Sequence, residues 1–215
     1  MTRKWSVLIS LLFISLFAAG CAPFLDRGMQ DTDITADDVP QEPSREELES
    51  KIKSNTSKEI DDIIQANFTL LDVVAGEGNR EANIYATTAF TLPQLESALT
   101  AAMEPEKRSE VKDNRQILIY PEHFVTLRVS EDDKDVLLIE VADDEFVRRN
   151  YSPNFLTTYF AIRLLDDVLD VDDWGKRRTR ECRTGNCYGG YTSKMYGAPG
   201  RGNTSFRGGG PGAGK

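Results

Sequence analysis

Apolar positions along the chain follow two rhythms, one of helical period and one of strand alternation, and their order predicts a mixed fold. Leu48, Ile52, Ile60, Ile63 and Ile64 share a helical face behind Ser44, which stands with Glu47 at capping-box spacing. Glu47/Lys51 and Glu49/Lys53 add charge pairs at i, i+4, and the polar Ser54 to Ser57 predicts a break midway. Two strands follow, Phe68 to Val74 and Ala82 to Thr88, joined by the turn-forming Gly76-Glu77-Gly78-Asn79. Thr91 then caps a helix in which Leu95, Ala98, Leu99, Ala102 and Met103 repeat every three or four residues, and Glu104-Pro105 ends it.

Three more strands are predicted at Gln116 to Tyr120, His123 to Val129 and Val136 to Val141, with the acidic Ser130 to Asp135 as the last turn. Connections this short imply antiparallel neighbours. Ser152 and Pro153 open a final helix to about Leu169, whose apolar residues cover well over half its circumference. Such a broad stripe suits a core helix laid across a sheet rather than one lying on a membrane. The expectation is therefore α+β: a small antiparallel sheet covered by helices over residues 44–173, about enough chain for one core.

Outside that span the composition changes character. Residues 1–20 carry Arg3 and Lys4, an uncharged apolar run from Trp5 to Phe17, and the small Ala18, Ala19 and Gly20 before Cys21. That order is the pattern of a lipoprotein signal, with Cys21 the residue that receives lipid. The apolar run is shorter than the roughly 20 residues a permanent span wants. Two or three acyl chains on one cysteine would hold firmly where a single chain holds marginally. Residues 21–43 are rich in Asp, Thr, Gln and Pro and read as a disordered tether. Residues 174–215 read as a basic, Gly-rich, disordered tail, since 11 of the chain's 16 glycines fall between Gly185 and Gly214.

Charge divides along the same lines. Residues 1–173 hold 34 acidic and 17 basic side chains, whereas the tail holds nine basic residues and Glu181. An acidic body thus carries a basic tail. Lys176, Arg177, Arg178, Arg180, Arg201 and Arg207 are candidate contacts for a polyanion. Outside the cytosol that means lipid headgroups or wall teichoic acids rather than nucleic acid, although the interleaved tyrosines would suit single strands inside a cell. A tail that is merely solvated, or folds back on the acidic body, explains the same residues.

Candidate chemistry is sparse. Cys182 and Cys187 are spaced for a disulfide in an oxidising compartment; free or redox-active thiols and a metal site are the alternatives. Asp170, Asp172, Gly175 and Glu181 occupy positions 1, 3, 6 and 12 of an EF-hand-like loop, a calcium reading weakened by Trp174 at position 5 and by the basic run. No other cofactor is suggested. His123 and Glu140 would make a general acid–base pair if brought together, but a solvated sheet face accounts for both, and no nucleophile motif or phosphate-binding loop accompanies them.

Several stretches carry a wider likeness: Leu71-Asp72-Val73-Val74-Ala75, Asn150-Tyr151-Ser152-Pro153, the run from Leu165 to Gly175, and the terminal Arg207 to Lys215. Through them the chain, from about Asn67 to Lys215, resembles a family of Gram-positive bacterial lipoproteins described as domain of unknown function 4247. The resemblance implies a surface lipoprotein and supports lipidation at Cys21 even with Ala18 where leucine is usual. It brings no activity and no catalytic residues. The expectation is a membrane-anchored, non-enzymatic envelope module that binds a neighbouring integral membrane protein or wall polyanion. A calcium or ligand receptor, a hydrolase using the acidic cluster, and a redox lipoprotein are the alternatives.

Overall fold

A computed structural model describes residues 34–183 and 187–191. Among them are seven α-helices, one 3-10 helix (Ala36–Asp38) and six strands. Helix α1 (Arg45–Ser54) begins where Ser44 Oγ accepts a hydrogen bond from the Glu47 amide at 3.3 Å. The chain breaks at the polar stretch as expected and resumes as α2 (Ile60–Asn67). The hairpin β1 (Thr69–Ala75) and β2 (Glu81–Thr87) leads into α3 (Leu92–Ala102), at whose start Thr91 N donates to Gln94 Oε1 at 2.9 Å. A two-residue strand, β3 (Lys107–Arg108), precedes the meander β4 (Arg115–Tyr120), β5 (His123–Val129) and β6 (Leu137–Asp143). Four short helices follow: α4 (Asp144–Asn150), α5 (Pro153–Leu156), α6 (Ile162–Val168) and α7 (Trp174–Cys182).

All six strands form one antiparallel sheet in the order β1-β2-β6-β5-β4-β3. The hairpin and the meander meet through β2 and β6, in register from Ala82↔Ala142 to Thr87↔Leu137. Strand alternation then sorts the core into two layers. Tyr85, Leu118, Val125, Leu127, Leu137, Ile139 and Val141 pack against α1, α2 and α3, including the fully buried Ile52, Ile64 and Leu99. Ile84, Ile117, Ile119, Phe124 and Leu138 pack against α4 to α7, including Phe146, Leu156, Leu165 and Trp174. The fold is an α+β sandwich with the sheet in the middle. No helix among the described residues is long and apolar enough to cross a membrane.

Three expectations need correction. The segment from Ser152 to Leu169 is not one helix. It turns at residues 157–160, where the Thr157 and Thr158 hydroxyls donate to the Asn154 carbonyl and compete with helix continuation. The wide apolar stripe belongs to two short pieces, each with its own inner face.

Regular structure also continues past Gly175, because α7 occupies residues 174–182 and Tyr188 and Tyr191 are buried. At the other end the structured chain begins before Ser44. Ile34 and Val39 join the second core layer, Ser130 Oγ donates to the Ile34 carbonyl, and the Ala36 amide donates to Asp133 Oδ2 at 2.9 Å.

Candidate functional site

The densest polar feature of the interior lies between the sheet and α4 to α7, and it is built around Glu140. Glu140 is 3% exposed in the middle of β6, so a solvated sheet face does not describe it. Its Oε1 accepts from the Tyr151 hydroxyl at 2.6 Å, and its Oε2 accepts from the Tyr191 amide at 3.0 Å. Burial drives the Tyr151 hydroxyl well above the ordinary tyrosine range, and the Glu140 charge pushes the same way. The same two causes, burial first, raise Tyr188. Both tyrosines therefore stay neutral, which suits Tyr151 as a donor to the carboxylate.

The backbone of residues 187–191 is the object this network holds. Tyr188 N donates to the Asn150 carbonyl and Ser152 N donates to the Tyr188 carbonyl, both at 2.7 Å, making a parallel bridge beside Tyr151. Arg128 Nη1 donates to the Tyr191 carbonyl, while its Nη2 stands 2.6 Å from Glu131 Oε1. Burial lowers the Arg128 pKa, and the neighbouring positive Arg115 adds to that. The Tyr188 ring meets Phe146 and Tyr151 edge-on, at centroid distances of 5.7 and 5.0 Å. With both oxygens of Glu140 engaged and the residue sealed from solvent, this arrangement clamps a chain segment. Its chemistry is that of a fastener.

Cys182, the last residue of α7, is bonded to Cys187, and the disulfide delivers the chain to the clamp. Hairpin β1–β2 closes the far side. The Glu77 amide donates to Asn150 Oδ1 at 2.8 Å, and a Cβ at Gly76 would lie 2.6 Å from Asn150 Nδ2 and from the Phe146 ring. Only a residue without a side chain lets the turn approach this closely.

His123 and Glu140 are not brought together. They sit on opposite faces of the sheet, since Glu140 pairs with Thr126 and His123, three residues away, points the other way. His123 instead faces Glu59 and Asp61 at the start of α2.

The calcium loop is likewise not formed. Helix α7 starts at Trp174, so Glu181 is carried about 10 Å along a helix axis from the turn that holds Asp170 and Asp172. Glu181 Oε2 accepts from Arg178 Nη1 at 2.9 Å instead.

The acidic run has a simpler logic. Asp170, Asp172 and Asp173 precede the N-terminal end of α7, where the helix dipole favours negative charge, and the Gly175 amide approaches Asp166 Oδ1 at 3.4 Å. A hydrogen bond from Lys176 holds the Asp173 carboxyl below its usual range. Trp174 is buried and its indole N–H donates to the Arg148 carbonyl at 3.0 Å.

Among the candidate polyanion contacts, Lys176, Arg177 and Arg180 are exposed on α7. Arg178 is not available: it is 7% exposed and its Nε donates to the Tyr151 carbonyl. Cys21, Arg201 and Arg207 lie outside the described residues. Sequence reasoning missed Tyr151, Tyr188, Tyr191, Arg128 and Asn150 as one constellation. The available signal was a lone glutamate in an apolar strand, which implies buried donors somewhere in the chain.

The family described as Domain of unknown function (DUF4247) matches residues 50–215, and the chain belongs to it. No curated protein and no solved structure matches significantly.

Proposed function

We propose that the protein is a lipid-anchored lipoprotein on the outer face of a bacterial cell membrane, a non-enzymatic module that holds a neighbouring envelope component. The observation that carries this reading is the cysteine arithmetic. The chain has three cysteines, and the bond between Cys182 and Cys187 accounts for two of them. The third is Cys21, placed after a basic start, an apolar run and Ala-Ala-Gly. A structural disulfide is at home in an oxidising compartment, which agrees with that address.

Support for an interaction role comes from where the polar groups are used. The interior carboxylate and guanidinium groups fasten the fold, whereas Lys176, Arg177 and Arg180 remain at the surface on the helix that leads towards the basic tail. Polyanionic headgroups or wall polymers are the matching chemistry, at about 1 kcal/mol per basic residue near an anionic surface. A membrane protein neighbour would be met through the same tethered geometry.

The test uses the full chain expressed in a bacterium. Metabolic labelling with a fatty-acid analogue should label the wild type and leave Cys21→Ser unlabelled and unprocessed. Equal labelling of the two would remove the anchor. Retention on anionic vesicles and on purified wall, at low and high salt, should fall when Arg177 and Arg180 are both changed to Gln. Salt-independent retention would remove the polyanion.

A further inference from the structure

We infer that Glu59, Asp61 and His123 form a binding site for a divalent transition-metal ion of the zinc type, at the N-terminal end of α2. The elements that build it are independent of one another in sequence. His123 is the first residue of β5, set by the tight β4–β5 turn in which Glu122 takes a positive φ of 63°. Glu59 is the residue before α2 and Asp61 lies in its first turn. The fold brings the three together with one donor atom from each within 4.8 Å of the others.

The separations are too long for hydrogen bonds, and each carboxylate faces a different nitrogen of the ring. His123 Nδ1 lies 3.9 Å from Glu59 Oε2, and His123 Nε2 lies 3.7 Å from Asp61 Oδ2. Donors around a tetrahedral zinc, each about 2.0–2.2 Å from the metal, stand about 3.4 Å apart. An ion takes one ring nitrogen only, so the carboxylate facing the other nitrogen has to swing round the ring edge to join it; the two carboxylate side chains, 54% and 39% exposed, have the freedom of surface groups to do so.

A second observation points to a ligand. His123 Nδ1 and Asp61 Oδ1 are both buried atoms without a hydrogen-bond partner. The His123 side chain is 15% exposed, so its ring is held largely out of water, with the nearest carboxylate oxygen beyond hydrogen-bond reach of that nitrogen. Leaving such a group dry and unpaired is unfavourable, and a metal bond to the ring nitrogen removes the deficit. The backbone dipole of α2 does not supply the ligand here, since its positive end disfavours a cation; the two carboxylates have to outweigh it.

The donor set selects the metal. One imidazole and two carboxylates suit zinc and its neighbours, whereas calcium takes six to eight oxygens and magnesium keeps most of its water. Three protein donors leave a fourth position open towards solvent, the arrangement of an exchangeable rather than a buried structural metal. The site lies on the face of the sheet opposite the Glu140 clamp, so it is separate from the elements invoked for anchoring.

Calorimetric titration of the oxidised full chain with zinc chloride, beside titration with calcium chloride, tests the site. One zinc per chain should bind, with a rise in melting temperature, and calcium should give no saturable heat. His123→Gln and, separately, the exposed Glu59→Gln should each weaken zinc by at least about tenfold. Asp170→Asn with Asp172→Asn should leave it unchanged. If His123→Gln does not fold, Glu59→Gln at the surface still decides the matter. No zinc binding, or equal affinity in wild type and Glu59→Gln, overturns the inference.

Discussion

Where α1, α2 and α3 cover the sheet, the buried layer is almost entirely aliphatic and aromatic, and each helix is at least eight residues long with an apolar stripe of helical period. Where α4 to α7 cover the other face, no helix exceeds nine residues, and the layer contains Glu140, Thr126, Arg128 and Asn150 beside its aromatics. The first face is closed by local periodicity, the second by hydrogen bonds between residues far apart in sequence. Short helices are marginal on their own, so the second face depends on those bonds to hold its pieces in place.

The largest expected effects probe that difference directly. Trp174→Ala should cost about 4 kcal/mol and Leu99→Ala about 3 kcal/mol in urea unfolding. Their local consequences should differ more than their sizes. Trp174→Ala also removes the bond to the Arg148 carbonyl, so amide exchange at Tyr188 and Tyr191 should accelerate, while Leu99→Ala leaves those amides protected relative to its own global stability. Equal deprotection of the two amides in both variants would break the contrast between the faces.

Glu140→Leu comes next, at about 3 kcal/mol, because it leaves the Tyr151 hydroxyl and the Tyr191 amide without an acceptor in a dry layer. Glu140→Gln should cost less: its oxygen can accept from Tyr191, and its amide nitrogen can donate to a Tyr151 hydroxyl turned to receive it. The order of the two midpoints in denaturant is the measurement. A leucine no worse than the glutamine would mean that the clamp adds nothing beyond packing.

Reduction of Cys182–Cys187 is expected to cost about 2 kcal/mol, the chain-entropy value for a loop this short. Its effect belongs to the second face alone. Comparing thermal unfolding with and without reductant, in wild type and in Cys182→Ser with Cys187→Ser, isolates it: the double variant should no longer respond. A reductant effect that persists there would assign the loss to something other than this bond.

The same division decides what could be read from the chain alone. The first face was legible almost to the residue, because caps at Ser44 and Thr91 and the spacing of Leu95, Ala98 and Leu99 are local signals. Five of the six strands were legible for the same reason, with His123–Val129 recovered at both ends, while the two-residue β3, too short to alternate, was passed over. Helix α4 was passed over although Asp143 caps it, its carboxylate accepting from the Phe146 amide, and Arg148 and Arg149 close its last turn. The helix from Ser152 was drawn too long because a wide apolar stripe looks the same whether one helix or two pieces supply it. The clamp was hidden for a deeper reason. Tyr188 and Tyr191 sit among glycines, where composition argues against burial, and partners 51 and 63 residues away in sequence, Glu140 and Arg128, hold Tyr191 in its place. The contacts of His123 with Glu59 and Asp61 were equally out of reach, since no local spacing links them.

Alkaline pH offers the gentlest way to read single buried hydroxyls on each face. Burial, reinforced by the Glu140 charge, raises the pKa of Tyr151 and Tyr188 in the folded protein above the ordinary value near 10. A group raised in the folded state contributes stability that is fully present below its unfolded pKa and is lost as pH climbs through the interval above it. The fold should therefore keep its stability up to about pH 10 and then lose about 1.4 kcal/mol per pH unit for each such tyrosine. Tyr120 and Tyr85, buried on the first face and also raised, add increments there too: burial leads in both, with Glu96 and Glu104 adding for Tyr120 and Asp61 for Tyr85. Tyr188→Phe keeps the ring and removes one titrating hydroxyl, so its stability against pH should fall less steeply above pH 10 than the wild type's, whereas Leu99→Ala should lower the curve without changing its slope. Parallel curves for wild type and Tyr188→Phe would show that this hydroxyl does not resist ionisation in the folded protein, and the polar character assigned to the second face would lose one of its members.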